Sequence, residues 1–124
     1  MPMLTAIIID DELKSREGLE AMLHNLIEGV SVVAMADSVT SGVKAIAKNK
    51  PDIVFLDVEM PRRDGFELFD AFDKIDFEVV FTTAHEQYAS KAFRTTAIDY
   101  LLKPIDIDLL KEAIERAREK RDKD

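Results

Sequence analysis

Three carboxylates stand directly after two apolar segments of the chain, and they carry its strongest chemical signal. Asp10 and Asp11 follow the apolar run 4–9, and Asp57 follows the run 53–56. Apolar runs of this length predict strands that are buried on both faces, as in a parallel sheet. The functional crevice of such a sheet lies outside the carboxyl ends of its strands, so we expect the three carboxylates at one edge of the fold.

Carboxylates that lie close together repel one another unless a positive charge holds them ionised. Their oxygen atoms suit a hard divalent cation, so we expect Mg²⁺ at this site, with Mn²⁺ as a substitute. Two further strand ends would add a hydroxyl from Thr83 and an ammonium from Lys103. Together these groups suit phosphoryl transfer to an ionised Asp, with the metal, the lysine and the hydroxyl neutralising the phosphoryl oxygens.

The composition limits the function classes that this chain could serve. Its 124 residues predict one domain, and a net charge of -8 disfavours direct binding to nucleic acid. The chain has no cysteine, which excludes disulfides and thiolate metal sites. No apolar stretch approaches the length of a membrane span, and the first residues do not resemble a signal peptide, so we expect a cytoplasmic protein without a membrane partner.

Strand-like and helix-like segments alternate along the whole chain. The predicted strands are 4–9, 30–36, 53–56, 77–82 and 97–102. Apolar residues at helical spacing predict five helices whose stripes we expect in the core, and Asp106 is a candidate N-cap for the last one. The stripes are Leu19, Met22, Leu23, Leu26 and Ile27; Val39, Val43, Ile46 and Ala47; Leu68, Phe69 and Phe72; Ala89, Ala92 and Phe93; and Leu110, Ala113, Ile114 and Ala117.

Five strands in alternation with five helices predict an α/β fold, a parallel sheet with helices on both faces. The common arrangement of such units is the flavodoxin-like doubly wound (βα)5 fold, with strand order 2-1-3-4-5 and a switch point between strands one and three. The acidic clusters follow those two strands, so the topology and the site agree. We expect the domain to span residues 1–121, with 122–124 beginning a linker.

At these residues the chain resembles the receiver domain of two-component response regulators, over nearly its whole length. The stretches 81–88 and 97–104 are most similar to the subfamily whose output is a LytTR-type DNA-binding domain. Arg63 departs from the family pattern, because that position is often apolar in relatives. The motifs that carry the resemblance are Ile9-Asp10-Asp11-Glu12, Leu56-Asp57-Val58-Glu59-Met60-Pro61 with Asp64-Gly65, Thr82-Thr83-Ala84 and Tyr100-Leu101-Leu102-Lys103-Pro104.

The resemblance implies a role for each acidic residue of the site. Asp57 would be the phosphoacceptor and also a metal ligand. Asp11 would bind the metal directly, and Asp10 would act through water or as a second ligand. The backbone carbonyl of Glu59 would be the third protein ligand.

The resemblance also implies roles for the other strand-end residues. Lys103 would bind the phosphoryl group, and the peptide bond between Lys103 and Pro104 would be cis, which proline tolerates. Thr83 would move toward the phosphoryl group, and Tyr100 would swing inward after it.

A histidine kinase would be the partner that supplies the phosphoryl group. Phosphorylation would alter the face made by the fourth helix, the fifth strand and the fifth helix. In relatives this face forms a homodimer or docks the output domain, which here would be a DNA-binding module outside the chain that controls transcription. The domain would not be an enzyme beyond slow self-dephosphorylation.

Other functional classes and simpler structural roles stay open at this point. A haloacid-dehalogenase-like phosphatase also uses an Asp nucleophile and Mg²⁺, but it places an Asp-x-Asp pattern after its first strand. A flavodoxin-like cofactor binder would need a Ser/Thr/Gly-rich phosphate loop there, and a pseudo-receiver would only bind partners. Asp10 or Asp11 alone could be a helix N-cap, Thr83 a β-former and Tyr100 a packing residue.

Overall fold

The computed structural model describes residues 3–123 and contains a five-stranded parallel sheet. The strand order is β2-β1-β3-β4-β5, which confirms the predicted order and the α/β fold class. The predicted strands are found with small shifts of their ends, the largest being the start of the fifth strand, which moves from 97 to 99. Their bounds are β1 (Leu4–Ile9), β2 (Val30–Ala36), β3 (Ile53–Asp57), β4 (Glu78–Thr83) and β5 (Asp99–Leu102).

Helices cover both faces of this sheet. The helical elements are α1 (Leu13–Leu26), α2 (Val39–Asn49), a 3₁₀ helix (Gly65–Ala71), a 3₁₀ turn (Glu86–Tyr88) that leads into α3 (Ala89–Ala92), and α4 (Ile107–Asp122). The predicted boundary after residue 121 falls in the last turn of α4 and stays a prediction, and residue 124 lies outside the described residues. Every helix within residues 3–123 is too short or too polar to cross a lipid bilayer.

The central strands are buried on both faces, as their apolar runs predict. Along β1, Ile7 and Ile9 enter the core on the α2 side, whereas Ala6 and Ile8 enter the core on the α1 and α4 side. All four are at most 1% exposed. Alternation of side chains along a strand sends neighbours to opposite faces, so one short segment contributes to both cores.

The predicted third helix is wrong in type, because this segment forms a 3₁₀ helix instead of an α-helix. Phe66, Phe69 and Phe72 recur every third residue, which matches the three residues per turn of a 3₁₀ helix. All three pack beside strand β4, where the rings of Phe66 and Phe69 lie 4.9 and 6.0 Å from that of Phe81. The aromatic packing therefore follows a period of three and not the period of an α-helix.

Three residues of the predicted apolar stripes lie outside the core. Phe93 is 86% exposed and Leu26 is 57% exposed. Ala47, near the C-terminal end of α2, is exposed as well. Helix α3 has only four residues, so its single turn buries Ala92 and leaves Phe93, at its C-terminal end, facing outward. Leu26 is the last residue of α1, past the turn that packs on the sheet.

The start of the last helix confirms its predicted N-cap. The Asp106 carboxylate accepts hydrogen bonds from the backbone N–H groups of Asp108 and Leu109, at 2.8 and 3.1 Å. These two donors would otherwise have no partner within the helix. Leu110 and Ile114 follow on the buried face of α4, so the cap fixes where this face begins.

Candidate functional site

The fold brings the three predicted carboxylates together at the carboxyl edge of the sheet. Each of Asp10, Asp11 and Asp57 offers one carboxylate oxygen, and these three atoms all lie within 4.8 Å of one another. Strands β1 and β3 are neighbours with Ile9 opposite Leu56, so the acids that follow them meet side by side. Asp10 and Asp57 are buried, at 3% and 5% exposed, whereas Asp11 faces the solvent.

Lys103 joins two of these carboxylates from the end of β5. Its Nζ lies 2.7 Å from Asp10 Oδ2 and 3.2 Å from Asp57 Oδ2. The backbone N–H of Lys103 donates to the Thr83 carbonyl at 2.8 Å, which fixes the start of this loop. The Lys103–Pro104 peptide bond is cis, as the family resemblance implies. The lysine therefore lies beside the acids at the same crevice, and its predicted role in binding the phosphoryl group stays a prediction.

Burial and charge shift the pKa values of this pair. Burial is the main cause that raises the pKa of Asp57 to about 6, and the nearby Asp10 charge adds to it, while Lys103 acts in the opposite direction. Burial alone would lower the pKa of Lys103, but its hydrogen bond to Asp10 and the negative charges of both acids outweigh that effect and raise it. At neutral pH the site therefore holds one ammonium against a surplus of carboxylates.

This donor set fits a divalent cation of the magnesium class. Three carboxylate oxygens at such short separations match the hard oxygen ligands that Mg²⁺ and Mn²⁺ prefer, and the surplus negative charge favours a cation. Asp10 already uses both oxygens, since Oδ1 accepts from the Glu12 N–H at 2.9 Å and Oδ2 contacts Lys103. Within residues 3–123 the Asp11 carboxylate has no hydrogen bond or ion pair, so it is the ligand most available to an ion.

The backbone of Glu59 contacts Asp57, and its side chain contacts Tyr88 and His85. Its N–H donates to Asp57 Oδ1 at 3.2 Å. Its carboxylate accepts from the Tyr88 hydroxyl at 2.5 Å and lies 2.9 Å from His85 Nε2. The hydrogen bond to Glu59 is the main cause that raises the pKa of Tyr88. The ligand role of the Glu59 carbonyl stays a prediction.

The sequence assigns no role to His85 or Tyr88, so it does not reveal this bridge. The bridge joins Glu59 to residues 26 and 29 positions later in the chain, so no local spacing signals it. The structure places the three side chains together beside the loop that follows Asp57.

Thr83 and Tyr100 meet through the backbone of a third residue. The buried Thr83 hydroxyl accepts a hydrogen bond from the His85 N–H at 3.2 Å, and the Tyr100 hydroxyl donates to the His85 carbonyl. Tyr100 is half-buried, and burial is the main cause that raises its pKa. Within residues 3–123 neither hydroxyl bonds to a site carboxylate, so their switch roles stay predictions.

Gly65 has a structural role that its motif did not reveal. Its N–H donates to the Val58 carbonyl at 2.7 Å, and an added Cβ would lie 2.3 Å from the Asp57 carbonyl oxygen. Any side chain there would push the 3₁₀ helix away from the end of β3. A glycine is therefore needed for the backbone to approach Asp57 so closely.

Comparison with known proteins now decides the family. The family model described as response regulator receiver domain matches residues 6–115. This chain belongs to the response regulator receiver domains. An uncharacterised response regulatory protein of Vibrio cholerae is 44% identical over 115 residues, which cover 92% of this chain and 48% of the relative. The transcriptional regulatory protein BtsR of Escherichia coli K12 is 38% identical, with 98% and 51% covered.

Solved receiver structures share this fold. The receiver domain of AraT from Geobacillus stearothermophilus aligns with a TM-score of 0.85 and 30% identity, covering 98% of this chain and 97% of that one. A relative named sensory transduction protein LytT, from Bacillus anthracis, is 36% identical and supports the predicted subfamily. The chain spans about half the length of these curated relatives.

Family membership removes two of the three alternatives. A receiver domain is a signalling domain and not a classical enzyme, so the phosphatase alternative does not hold. Membership of the receiver family likewise excludes the flavodoxin-like cofactor binder. A pseudo-receiver that only binds partners has the same fold, and it is separated from a phosphoacceptor only by the chemistry of the site.

Proposed function

We propose that this domain accepts a phosphoryl group on Asp57 from a histidine kinase in a Mg²⁺-dependent reaction. The observation that carries the proposal is the surplus of carboxylates around one ammonium, with Asp57 buried next to Lys103. A site of this kind is complete only with a cation and suits the negative charge of a phosphoryl group once that cation is bound.

The residues of the site would have different roles in this reaction. Asp11, Asp57 and the Glu59 carbonyl would hold the metal, with Asp10 acting through water or as a further ligand. When bound, the metal supplies positive charge that neutralises the phosphoryl oxygens. The pKa of about 6 leaves Asp57 mostly ionised at neutral pH and able to attack.

In the transfer step a carboxylate oxygen of Asp57 attacks phosphorus in line. The bond from phosphorus to the donor imidazole nitrogen breaks, and its electron pair returns to the ring. The Lys103 ammonium already contacts Asp57 Oδ2 at 3.2 Å, and it follows the charge onto the new phosphoryl oxygens. The Thr83 hydroxyl would exchange its bond with the His85 N–H for one to the phosphoryl group.

The signal would leave through the face made by α3, β5 and α4. A move of Thr83 frees the His85 backbone that Tyr100 also contacts, so both hydroxyls respond to the same event. Phe93, Leu102 and Leu109 are large apolar residues exposed on these elements or their ends, at 86%, 42% and 50%. They suit docking of an output domain or of a second copy of this domain.

We also propose that the output of this domain controls transcription. The curated relatives are about twice as long as this chain, and one of them is named a transcriptional regulatory protein. We therefore propose a DNA-binding output domain and a cytoplasmic site of action. The receiver domain itself, with a net charge of -8, would not contact the DNA.

Phosphate-affinity gel electrophoresis tests the acceptor. Incubation with acetyl phosphate and Mg²⁺ should produce a retarded band that EDTA prevents and that Asp57→Ala lacks. Asp52→Asn, a change of an acid at the opposite edge of the sheet, should keep the band. A band that persists in Asp57→Ala would place the acceptor elsewhere, and its absence from the wild-type protein would favour a pseudo-receiver.

Stability in the presence of metal tests the ligand set. A cation that binds only the folded chain at 100 times its dissociation constant adds about 2.7 kcal/mol to the free energy of unfolding. We expect this gain for the wild-type protein in urea unfolding with Mg²⁺, and almost none for Asp11→Ala. An equal gain in both proteins would show that Asp11 is not a ligand.

A further inference from the structure

Arg16 on α1 contacts the acidic turn through its backbone. Its Nη1 donates a hydrogen bond of 2.7 Å to the carbonyl oxygen of Asp10, and the side chain is half-buried. Arg16 makes no hydrogen bond or ion pair with Asp57 or Lys103, and the proposed function gives it no role. Within residues 3–123 the one hydrogen bond of its guanidinium reaches the peptide between two of the three acids.

That contact fixes the peptide plane that carries Asp11. The carbonyl of Asp10 and the nitrogen and Cα of Asp11 lie in one rigid plane. The N–H of Asp10 is held by the Ala36 carbonyl at 3.0 Å, and its Oδ1 accepts from the Glu12 N–H at 2.9 Å. With Arg16 on the carbonyl, the turn is held on both sides of Asp10, and the direction in which Asp11 leaves the backbone is set.

Asp11 depends on this backbone support more than the other two acids do. Asp10 and Asp57 are buried, and Lys103 holds both of their carboxylates. Asp11 is exposed, and within residues 3–123 its carboxylate has no partner that fixes its position. A ligand that is not held in place by contacts of its own loses conformational entropy when it binds an ion.

We propose that Arg16 is a positioning residue for cation binding, because it fixes the Asp10–Asp11 peptide so that Asp11 meets the ion. This inference rests on the proposed metal site of Asp10, Asp11 and Asp57. A purely electrostatic role predicts the opposite effect, since a guanidinium beside an acidic cluster repels a divalent cation. The sign of the change in affinity therefore separates the two roles.

The dissociation constant for Mn²⁺, measured by electron paramagnetic resonance of the free ion, tests the proposal. We expect about 10-fold weaker binding in Arg16→Ala, the lower end for loss of a group that supports a metal ligand. Arg16→Lys keeps the charge and one donor on a shorter side chain, and should recover part of the affinity. Lys14→Ala is the matched control, since Lys14 is exposed on the same turn and lines the groove beside Asp10.

Charge alone predicts that Lys14→Ala binds Mn²⁺ as tightly as the wild-type protein or more tightly. Affinity in Arg16→Ala that equals or exceeds that of the wild-type protein would overturn the proposal. The proposal would also be overturned if Arg16→Lys bound Mn²⁺ no more tightly than Arg16→Ala.

A measurement on the metal-free protein separates this inference from the proposed function. The nitrogen-15 relaxation order parameter of the Asp11 amide should fall in Arg16→Ala and stay unchanged in Lys14→Ala. An unchanged order parameter in both variants would overturn the inference even if the wild-type protein binds metal. Failure of the wild-type protein to bind Mn²⁺ would instead remove the proposed metal site, while the order parameters would still report on the contact.

Discussion

Two clusters of acids lie at opposite edges of the same sheet, and they differ in how their charges are balanced. At the carboxyl edge, Asp10, Asp11 and Asp57 lie together, and within residues 3–123 the one ammonium that contacts them is that of Lys103. Negative charge is left over there. Repulsion among these acids therefore lowers the free energy of unfolding, and the rest of the fold must compensate for it.

At the amino edge, one ion-pair network of the described residues 3–123 contains as many cations as acids. The buried Glu78, the first residue of β4, lies 3.2 Å from Lys120 Nζ and 3.5 Å from an Arg121 nitrogen. Arg121 also contacts Asp52 at 3.1 Å. Two carboxylates thus meet two cations, both from the last turn of α4, and this network closes the amino edge of the sheet.

The difference teaches that a buried acid does not by itself mark a functional site. Asp57 and Glu78 are both 5% exposed. Glu78 has its countercharges within the chain, whereas Asp57 shares one cation with a second carboxylate. The surplus charge, and not the burial, distinguishes the proposed site from the amino edge.

The largest expected effect comes from removing the surplus charge with Asp57→Asn. The pKa of Asp57 rises from 3.8 to about 6 on folding, so the folded chain binds this proton more tightly than the unfolded chain does. Stability from this group is therefore present at low pH and is lost as the pH rises from about 4 through 6. Without metal at pH 7, we expect Asp57→Asn to raise the free energy of unfolding by about 2 kcal/mol.

Urea unfolding in EDTA at pH 4, 5, 6 and 7 measures this difference. The wild-type protein should lose stability across that range relative to Asp57→Asn, and the two should converge near pH 4. A variant less stable than the wild-type protein at pH 7 would show that Asp57 stabilises the fold as Glu78 does, and the contrast between the edges would fail.

The opposite sign is expected at the amino edge. Glu78→Gln leaves Lys120 and Arg121 without one of their partners, and loss of one member of a buried ion pair is destabilising. Lys120 is 52% exposed and Arg121 26% exposed, so solvent reduces the effect, and we expect a loss of about 1 kcal/mol at pH 7. Glu112 is exposed on α4, the helix that carries Lys120 and Arg121. The control Glu112→Gln should alter the free energy of unfolding by less than about 0.5 kcal/mol.

Urea unfolding of the two variants at low and high salt tests whether the ion pairs stabilise the amino edge. The loss in Glu78→Gln should shrink at high salt because part of the network is exposed. Equal stabilities of Glu78→Gln and Glu112→Gln would mean that the matched charges do not hold the amino edge.

The smallest effects are expected at two backbone positions, one at each edge. Arg62, in the loop after Asp57, has φ 72°, and Lys50, at the C-terminal end of α2, has φ 46°. Both lie in the left-handed region that favours glycine. We expect Arg62→Gly and Lys50→Gly each to raise the midpoint of urea unfolding by an amount equivalent to about 0.5 kcal/mol, after the entropy cost of glycine.

Lys44→Gly, at an exposed position in the interior of α2, serves as the control and should cost about 1 kcal/mol. Similar gains at Arg62 and Lys50 would show that the two edges differ in charge and not in backbone strain. A loss of stability in Arg62→Gly would mean that the arginine side chain supports its loop by contacts that outweigh its backbone conformation.

The centre of the sheet could be predicted because strands β1, β3 and β4 are buried on both faces. Such strands must be apolar without interruption, and the runs 4–9 and 53–56 show this in any register. The third helix could not be typed, because Leu68 and Phe72 fit an α-helical period while Phe66, Phe69 and Phe72 fit a period of three. Only packing against β4 chooses between these periods.

The sequence by itself determined where the strands lie and which acids follow them, and the common arrangement of such folds supplied the strand order. Strand ends in a parallel sheet converge, so Asp10 and Asp57 had to meet once their strands were neighbours. Tertiary structure alone decided which charges pair, since the bond of Arg121 to Asp52 spans 69 residues and that of Tyr88 to Glu59 spans 29. Coulombic and hydrogen-bond energies depend on separations of a few ångströms, which sequence spacing does not encode beyond a turn of helix or a pair of strands.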